Sequence, residues 1–446
     1  MKINIITLGC SKNTVDSENV AGHLAHAGHT VFFDRDKNDC DIVVVNTCGF
    51  IGDAKEESVN ALLEQIRAKQ FFNQRHHRDG RHRRLMAVGC LVERYRDDLA
   101  GEMPEVDGWY GVHQWEQLSH DLLAMAGRGG SQVPSGQCLT APEPRLLSTP
   151  SHYAYLKISE GCNRACSYCA IPIIRGRHIS RPIDDLVAEA KNLVVQGVRE
   201  IIVIAQDTTY YGLDLYGRRC LGDLLERLAA ESGARWIRLH YTYPTSFPID
   251  AIEVIRRYDN ICNYIDIPLQ HINSRILASM QRGIDREGTL RLIRQFRDRL
   301  PDVSIRTTLI VGYPGETEEE FQELKQFVAD ARFDRMGCFA YSPEEGTPAE
   351  ALGDTVSDED KERRVAELMA VQEQVSLEKN QARIGRQCTV LIDRREGDFY
   401  VGRTEYDSPD VDDEVLIPAC RRLKIGEFYA VRITQALEND LIAEIV

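Results

Sequence analysis

Apolar residues come in short runs at 3–8, 42–45 and 85–88, and after each of them apolar positions recur at helical spacing, over 17–27, 54–69 and 115–125. Short continuous apolar runs separated by amphipathic stretches predict strands buried on both faces, so residues 1–125 are expected to form an open parallel α/β sheet. From 126 to 152 the periodicity gives way to Gly, Ser and Pro, which predicts a linker. A second alternation then begins, with strands expected at 153–158, 200–205, 236–241, 264–267, 304–311 and 335–341. Among the helices between them, 183–196 is closed by Gly197, and 318–331 opens on a Thr317/Glu320 capping box. Six βα units over 153–345 predict a parallel sheet curled into a partial (βα)6 barrel, short of full eight-unit closure. Residues 346–379 read as an acidic linker and then a charged helix capped by Ser357 and Asp360. Over 380–446, alternating runs at 388–392, 399–404, 414–417, 429–435 and 441–445 predict a small antiparallel β-barrel of OB-like kind.

The residues just past the strands carry the chemistry. The first three runs end in Gly9-Cys10, Asn46-Thr47-Cys48 and Gly89-Cys90. Ligands bind outside the carboxyl ends of parallel strands, so the fold is expected to gather these cysteines although they lie far apart in sequence. One such cysteine is usually a small buried hydrophobe; three at equivalent positions point to a metal site. The strand at 153–158 runs into Glu160-Gly-Cys162-Asn-Arg-Ala-Cys166-Ser-Tyr168-Cys169-Ala170. Three thiols this close cannot all face one core, and they predict a loop of converging thiolates for a soft metal or an iron–sulfur cluster. Zinc would ask for a fourth protein ligand, and His178 lies outside the usual spacings. Three ligands on a four-iron cluster leave one iron open to an amine and a carboxylate. That suits one-electron cleavage of a sulfonium cofactor and attack on an unactivated C–H bond.

Charge narrows the setting. A net charge of −15 argues against non-specific nucleic-acid binding by the whole surface. No run approaches the ~20 apolar residues of a membrane span, and the first apolar run is too short for an export signal. Thirteen cysteines, an odd number with tight clusters, predict thiols rather than a disulfide scaffold and hence a reducing, cytoplasmic setting. The stretch 380–446 holds nine Lys plus Arg against thirteen Asp plus Glu, so an acidic docking face for a basic partner is expected rather than an RNA-gripping barrel. The basic, histidine-rich stretch 75–84 reads as a solvated loop, with contact to an RNA-rich assembly as the alternative.

Cys162-x-x-x-Cys166-x-x-Cys169, with Tyr168 before the last cysteine, resembles the signature of radical S-adenosylmethionine (SAM) enzymes. The longer run from Tyr155 to Gly176 resembles the methylthiotransferases among them. The likeness covers nearly the whole chain, as an amino-terminal methylthiotransferase domain, a radical SAM barrel and a carboxy-terminal TRAM-like barrel. It implies two 4Fe-4S clusters, an auxiliary one on Cys10, Cys48 and Cys90 and a radical-generating one on Cys162, Cys166 and Cys169. Leu8-Gly-Cys-Ser-Lys-Asn-Thr-Val-Asp-Ser-Glu18, Thr47-Cys-Gly-Phe-Ile-Gly-Asp-Ala-Lys-Glu-Glu-Ser58 and the run from Ala205 to Tyr216 resemble one branch of the family. That branch modifies an aspartate of the twelfth protein of the small ribosomal subunit, free or on the ribosome; Ser11 stands where its pattern often has Pro. The resemblance implies that one SAM methylates a sulfur at the auxiliary cluster. A second is cleaved to a radical that takes hydrogen from the aspartate β-carbon, giving 3-methylthioaspartate. A low-potential donor of flavodoxin or ferredoxin type would supply electrons.

Other residues are weighed singly. Tyr168, Gln206 and Asp207 are expected near the cofactor, with a turn cap as the equal alternative for Asp207. Gly312, in Gly-Tyr-Pro-Gly-Glu316, would let backbone approach adenine, although a plain turn is the favoured reading. Arg306 would pair with the cofactor carboxylate or sit in a surface ion pair. Tyr210, Tyr211, Tyr241 and Tyr243 read first as core packing, with the lining of a substrate mouth as the alternative; Gln270 and His271 end the strand at 264–267, and such a histidine reads as structural. Cys40, Cys138, Cys220, Cys262, Cys338, Cys388 and Cys420 show no ligand spacing. The function expected is therefore an aspartate methylthiotransferase. The alternatives are a tRNA adenosine methylthiotransferase and a non-catalytic, metal-stabilised ribosome- or RNA-binding factor.

Overall fold

The structure, a computed structural model, describes residues 1–35, 39–125 and 145–446. The chain divides into two compact units. The first comprises Met1–Thr149, Glu160–Asn163 and Ala170–His178; the second comprises Pro150–Ser159, Arg164–Cys169 and Ile179–Val446.

The first unit is built on five parallel strands, β1 (Lys2–Thr7), β2 (Thr30–Phe33), β3 (Ile42–Thr47), β4 (Arg84–Gly89) and β5 (Gly108–Tyr110), in the order β2-β1-β3-β4-β5. Every residue of β3 is buried, which is why it reads as one uninterrupted apolar run. Ile42 and Val44 pack under the helices Ser11–His26 and Trp115–Met125, while Val43 and Val45 face Leu62 and Ile66 of the helix Gly52–Arg75. Strand order reverses between β1 and β3, and a crevice opens beyond the carboxyl ends of strands at such a switch point. The short strands β2 and β5 and the helix Cys90–Glu102 go beyond the sequence expectation.

Two sequence readings change here. Within 75–84, Arg83 is buried, stacks 4.3 Å over Phe72 and donates to the Cys40 carbonyl at 3.1 Å, and Arg81 pairs with Asp41 at 3.0 Å. Part of that basic stretch is therefore structural. Of the expected linker, residues 126–144, Cys138 included, lie outside the described residues. Its far end is no free spacer, because buried Arg145 donates to Glu18 at 2.8 Å and Ser148 N–H to the same carboxylate at 2.7 Å.

In the second unit six parallel strands follow in sequence order: β6 (Tyr153–Lys157), β7 (Glu200–Ile204), β8 (Trp236–Leu239), β9 (Tyr264–Asp266), β10 (Ser304–Val311) and β11 (Arg335–Ala340). They pair as β6-β7-β8 and β9-β10-β11, with a bridge between Ile237 and Ile261 joining the two sets. Among the described residues no pairing returns β11 to β6, so the barrel is partial. The capping box at Thr317 and Glu320 is formed, and Ser357 caps the helix Asp358–Gln381. The acidic stretch before that helix is packed rather than free, with Ala349 N–H bonded to the Ser167 carbonyl at 2.8 Å.

The last five strands, β12 (Gln387–Glu396), β13 (Phe399–Arg403), β14 (Glu414–Pro418), β15 (Phe428–Ala436) and β16 (Asp440–Ile445), close a barrel around Val390, Ile392, Val415, Ile417 and Val431. Four pairings are antiparallel, but β14 and β16 are parallel, a closure the hairpin pattern does not reveal.

Loop 404–413 of this small barrel packs against four strands of the larger one. Arg238 of β8 donates to the Glu405 carbonyl at 2.7 Å, and Tyr264 of β9 to Asp412 at 2.7 Å. Ser304 and Arg306 of β10 reach the Tyr406 carbonyl and Asp412, and Arg335 of β11 pairs with Asp407 at 2.5 Å. The acidic excess of 380–446 is therefore turned inward. Asp407, Asp412 and Asp413 meet barrel arginines, and Asp393 meets Arg403 within the unit. Removing these four acids and buried Arg403 from the tally leaves nine acids against eight bases, so the acidic docking face is not formed.

Candidate functional site

In the first unit, Cys10, Cys48 and Cys90 sit just past the ends of β1, β3 and β4, and their loops interlock. A Cβ at Gly9 would lie 2.7 Å from Cys48 Sγ, and one at Gly49 would lie 2.7 Å from Leu91 Cα, next to Cys90. Asn13 ties the three loops together. Its amide donates to the Leu8 and Thr47 carbonyls at 2.8 and 3.2 Å, and its Oδ1 takes Arg175 Nη2 at 2.6 Å, with Cys90 Sγ 3.8 Å away. Arg175 is neutralised by Asp16 and Glu160 at 3.1 and 2.9 Å. Burial pushes the Cys48 thiol up to about 12 and raises Cys90 as well, so both are neutral until a metal displaces their protons. Crowding also pushes the Cys10 thiol up, but Lys12 and Arg175 outweigh this and hold it below its ordinary value, although the residue is exposed. Among the described residues no three His, Cys, Asp or Glu side chains already stand in metal-binding geometry. The convergence is one of loops.

The second cysteine loop is held by backbone. Cys162 N–H bonds the Gly176 carbonyl at 3.0 Å within the first unit, beside Gly161 at φ +73°, where a Cβ would lie 2.1 Å from the Arg177 carbonyl oxygen. Only glycine fits there. In the second unit, Ser167 N–H bonds the Met280 carbonyl at 3.1 Å, and its hydroxyl meets Ser279 O and Tyr313 OH, both at 2.8 Å. Arg164 donates to buried Asp207 at 2.6 Å and stacks 4.0 Å over Tyr243. Cys166 is buried, with Arg282 Nη1 donating to its sulfur at 3.3 Å and Tyr243 OH 3.5 Å away. Arg282 is itself buried and, among the described residues, has no carboxylate partner; it bonds Cys166, Tyr168 OH and the Pro268 carbonyl. A buried cation without a counter-charge is costly. An anionic thiolate cluster at Cys166 supplies one, so the donor set and its surroundings fit an iron–sulfur group. Sequence reasoning missed Arg282, which lies 116 positions from Cys166 and carries no local signal.

The remaining expectations divide. Tyr168 is packed with Tyr313 and Tyr341 and takes the Arg282 hydrogen bond. Gln206 follows β7, as expected. Asp207 caps the turn Thr208–Tyr210, accepting from Thr209 N–H at 2.9 Å, and anchors Arg164 as well. Arg306 is a half-buried cation engaged by two buried carboxylates, Asp266 and Asp412, at 3.1 and 3.2 Å, rather than part of a surface ion pair. Gly312, at φ +72°, donates its N–H to Glu316 at 3.0 Å, and a Cβ there would lie 2.3 Å from Lys361 Cγ, so the tight turn itself requires glycine. His271 accepts from Asn273 N–H at 3.0 Å, a structural role.

Comparison with known proteins agrees with this layout. The radical SAM superfamily model matches residues 156–328, the model described as uncharacterized protein family UPF0004 matches 2–111, and the TRAM domain matches 384–446. By fold, the chain is similar to the radical SAM methyltransferase TsrM of Kitasatospora setae, at TM-score 0.57 and 15% identity over 83% of this chain and 90% of that one. Proteins named ribosomal protein uS12 methylthiotransferase RimO are 52% identical in Phocaeicola vulgatus, over 100% of this chain and 99% of that one, and 51% identical in Bacteroides thetaiotaomicron, over 100% and 98%. The relative of that name in Porphyromonas gingivalis is 50% identical over 100% of this chain and 99% of its own length. Likeness of that depth over the full length of both partners places the chain in the RimO family of radical SAM methylthiotransferases.

Proposed function

We propose that this chain is a ribosomal protein uS12 methylthiotransferase, which replaces a hydrogen on the β-carbon of a uS12 aspartate by a methylthio group. The observation that carries this reading is the half-identical, full-length match to proteins of that name. Cys162, Cys166 and Cys169 would hold one 4Fe-4S cluster, and Cys10, Cys48 and Cys90 a second. When bound, a four-iron cluster with three protein ligands supplies an open iron for SAM and the single electron that an unactivated C–H bond demands.

The chain's own residues prepare that site. Asp207 with Arg164, and Ser167 with Tyr313, pin the loop on either side of Cys166. Tyr168 and Gln206 remain the candidates to face the cofactor. Asp207, Arg306 and Gly312 are already engaged and act on the scaffold. Near-neutral charge on the small barrel removes the electrostatic argument for a protein over an RNA substrate, so the preference for uS12 rests on the relatives. No helix among the described residues is long and apolar enough to cross a membrane. A ribosomal substrate supports a cytoplasmic setting, and a flavodoxin- or ferredoxin-type donor would supply the electrons.

The test offers the anaerobically reconstituted enzyme purified uS12, assembled small subunits and tRNA, each with SAM and a low-potential reductant. Mass spectrometry should find a gain of CH2S on a single uS12 aspartate. Methylthioadenosine in tRNA beside unmodified uS12 would select the other branch. Zinc without inorganic sulfide in the purified protein would end the radical reading.

A further inference from the structure

Five arginines of the second unit are buried: Arg238, Arg282, Arg335, Arg364 and Arg403. Four are matched by carboxylates, Arg238 and Arg403 by Glu200, Arg335 by Asp407 and Arg364 by Glu316, at 2.5 to 2.8 Å. Arg282 alone is not. It is only 4% exposed, its Nη1 lies 3.3 Å from Cys166 Sγ, and its Nε has no hydrogen-bond partner. The guanidinium plane is held from one side by the Tyr243 ring, 4.2 Å away, and that ring also carries Arg164 at 4.0 Å. A cation fixed at a cysteine sulfur, in a place where water cannot screen it, interacts more strongly with the more negative of two redox states.

We propose that Arg282 is a positioning residue that tunes the cluster on Cys162, Cys166 and Cys169 toward its reduced state, acting through the Cys166 sulfur. The inference rests on the cluster assignment made above. Reduction adds one electron and changes no protein bond. Hydrogen bonds and positive charge at a ligand sulfur raise the potential of an iron–sulfur centre. Arg175 offers the contrast, since two carboxylates cancel its charge beside the other cysteine set.

The experiment is a potentiometric titration of the reconstituted full-length protein, following the electron paramagnetic resonance signal that SAM perturbs, with iron and sulfide counted in the same samples. Arg282→Met and Arg282→Gln remove the charge, and Gln keeps an amide for the Pro268 carbonyl. Both should lower the reduced-to-oxidised ratio at fixed potential at least tenfold, a shift of about 59 mV for a one-electron couple, whereas Arg282→Lys should stay near the parent. Clusters lost in both neutral variants but kept in Arg282→Lys would also support the proposal, because the charge would then be needed for the anionic group to bind. Neutral variants that load fully and titrate with the parent would overturn it. So would a lysine variant shifted as far as methionine, or failure of all three to load. A Cys166→Ala protein that keeps its full iron and cleaves SAM would instead overturn the cluster assignment, so the two failures are distinguishable.

Discussion

Glu200 is the carboxylate on which the second unit turns, and replacing it by methionine is the sharpest test of that unit's energetics. The side chain is fully buried, with Arg238 Nε at 2.7 Å and Arg403 Nη2 at 2.8 Å. Burial pushes its carboxyl up, but Arg403 and Arg238 together outweigh that and hold it below the usual carboxylate range. Arg403 keeps a second carboxylate, Asp393, at 2.7 Å; Arg238 has only the Glu405 and Thr404 carbonyls besides. At an effective dielectric of about 20 each pair gains roughly 4 kcal/mol. Relief of the buried carboxylate's own desolvation returns part of this, and breaking such a network from one side costs about 3–5 kcal/mol net. For a unit of this size that lowers the melting temperature by roughly 6–10 °C. Trp236 reports the loss directly, because it lies opposite Glu200 in register, is the one tryptophan of the second unit, and packs edge-on to Phe428 at 4.7 Å. Urea unfolding followed by its fluorescence should show Glu200→Met strongly destabilised, and Glu200→Met/Arg238→Met less so than the sum of the single changes. A single change costing under about 1 kcal/mol, or strict additivity, would refute the buried-network account.

Other consequences attach to particular side chains. Asp413 lies 3.1 Å from Arg335, yet burial pushes its carboxyl up to about 7, with Asp407 nearer the same arginine and adding to the rise. The folded state therefore holds a proton that the unfolded chain releases near pH 4. Stability falls as pH rises from about 4 to 7, and the full cost stands above that. Asp413→Asn should be more stable than the parent by roughly 2–4 kcal/mol at pH 8, with a clearly smaller gain at pH 5; thermal melts at the two pH values measure this. Cys162→Ala should abolish 5′-deoxyadenosine formation and Cys48→Ala spare it while losing sulfur insertion, each falling from about eight irons per chain to about four; identical behaviour would break the division of labour. Gly161→Ala forces a left-handed backbone costing about 1–2 kcal/mol and a collision with the Arg177 carbonyl. Iron content should drop while urea unfolding monitored at Trp236 stays where it was.

Much of this molecule can be read without its fold. β10 and the helix Glu318–Ala331 fall where apolar spacing and the Thr317/Glu320 box put them, because burial on two faces and the helix dipole act within a few residues of chain. The spacing of Cys162, Cys166 and Cys169 is equally local, and it announces a metal loop by itself. Cys10, Cys48 and Cys90 are legible one step further on, since parallel strands carry the residues after them to one edge. Charge is where local reading stops. By sequence Arg306 is free to meet a cofactor and the last sixty or so residues are acidic, but the fold buries Asp412 and Asp407 against Arg306 and Arg335. The sign of a side chain is written in the chain, but its partner arrives from a hundred residues away, and only packing decides which charges cancel. That is why Asn13, which knots three cysteine loops, and Arg282, the uncancelled cation beside Cys166, appear only in the tertiary structure.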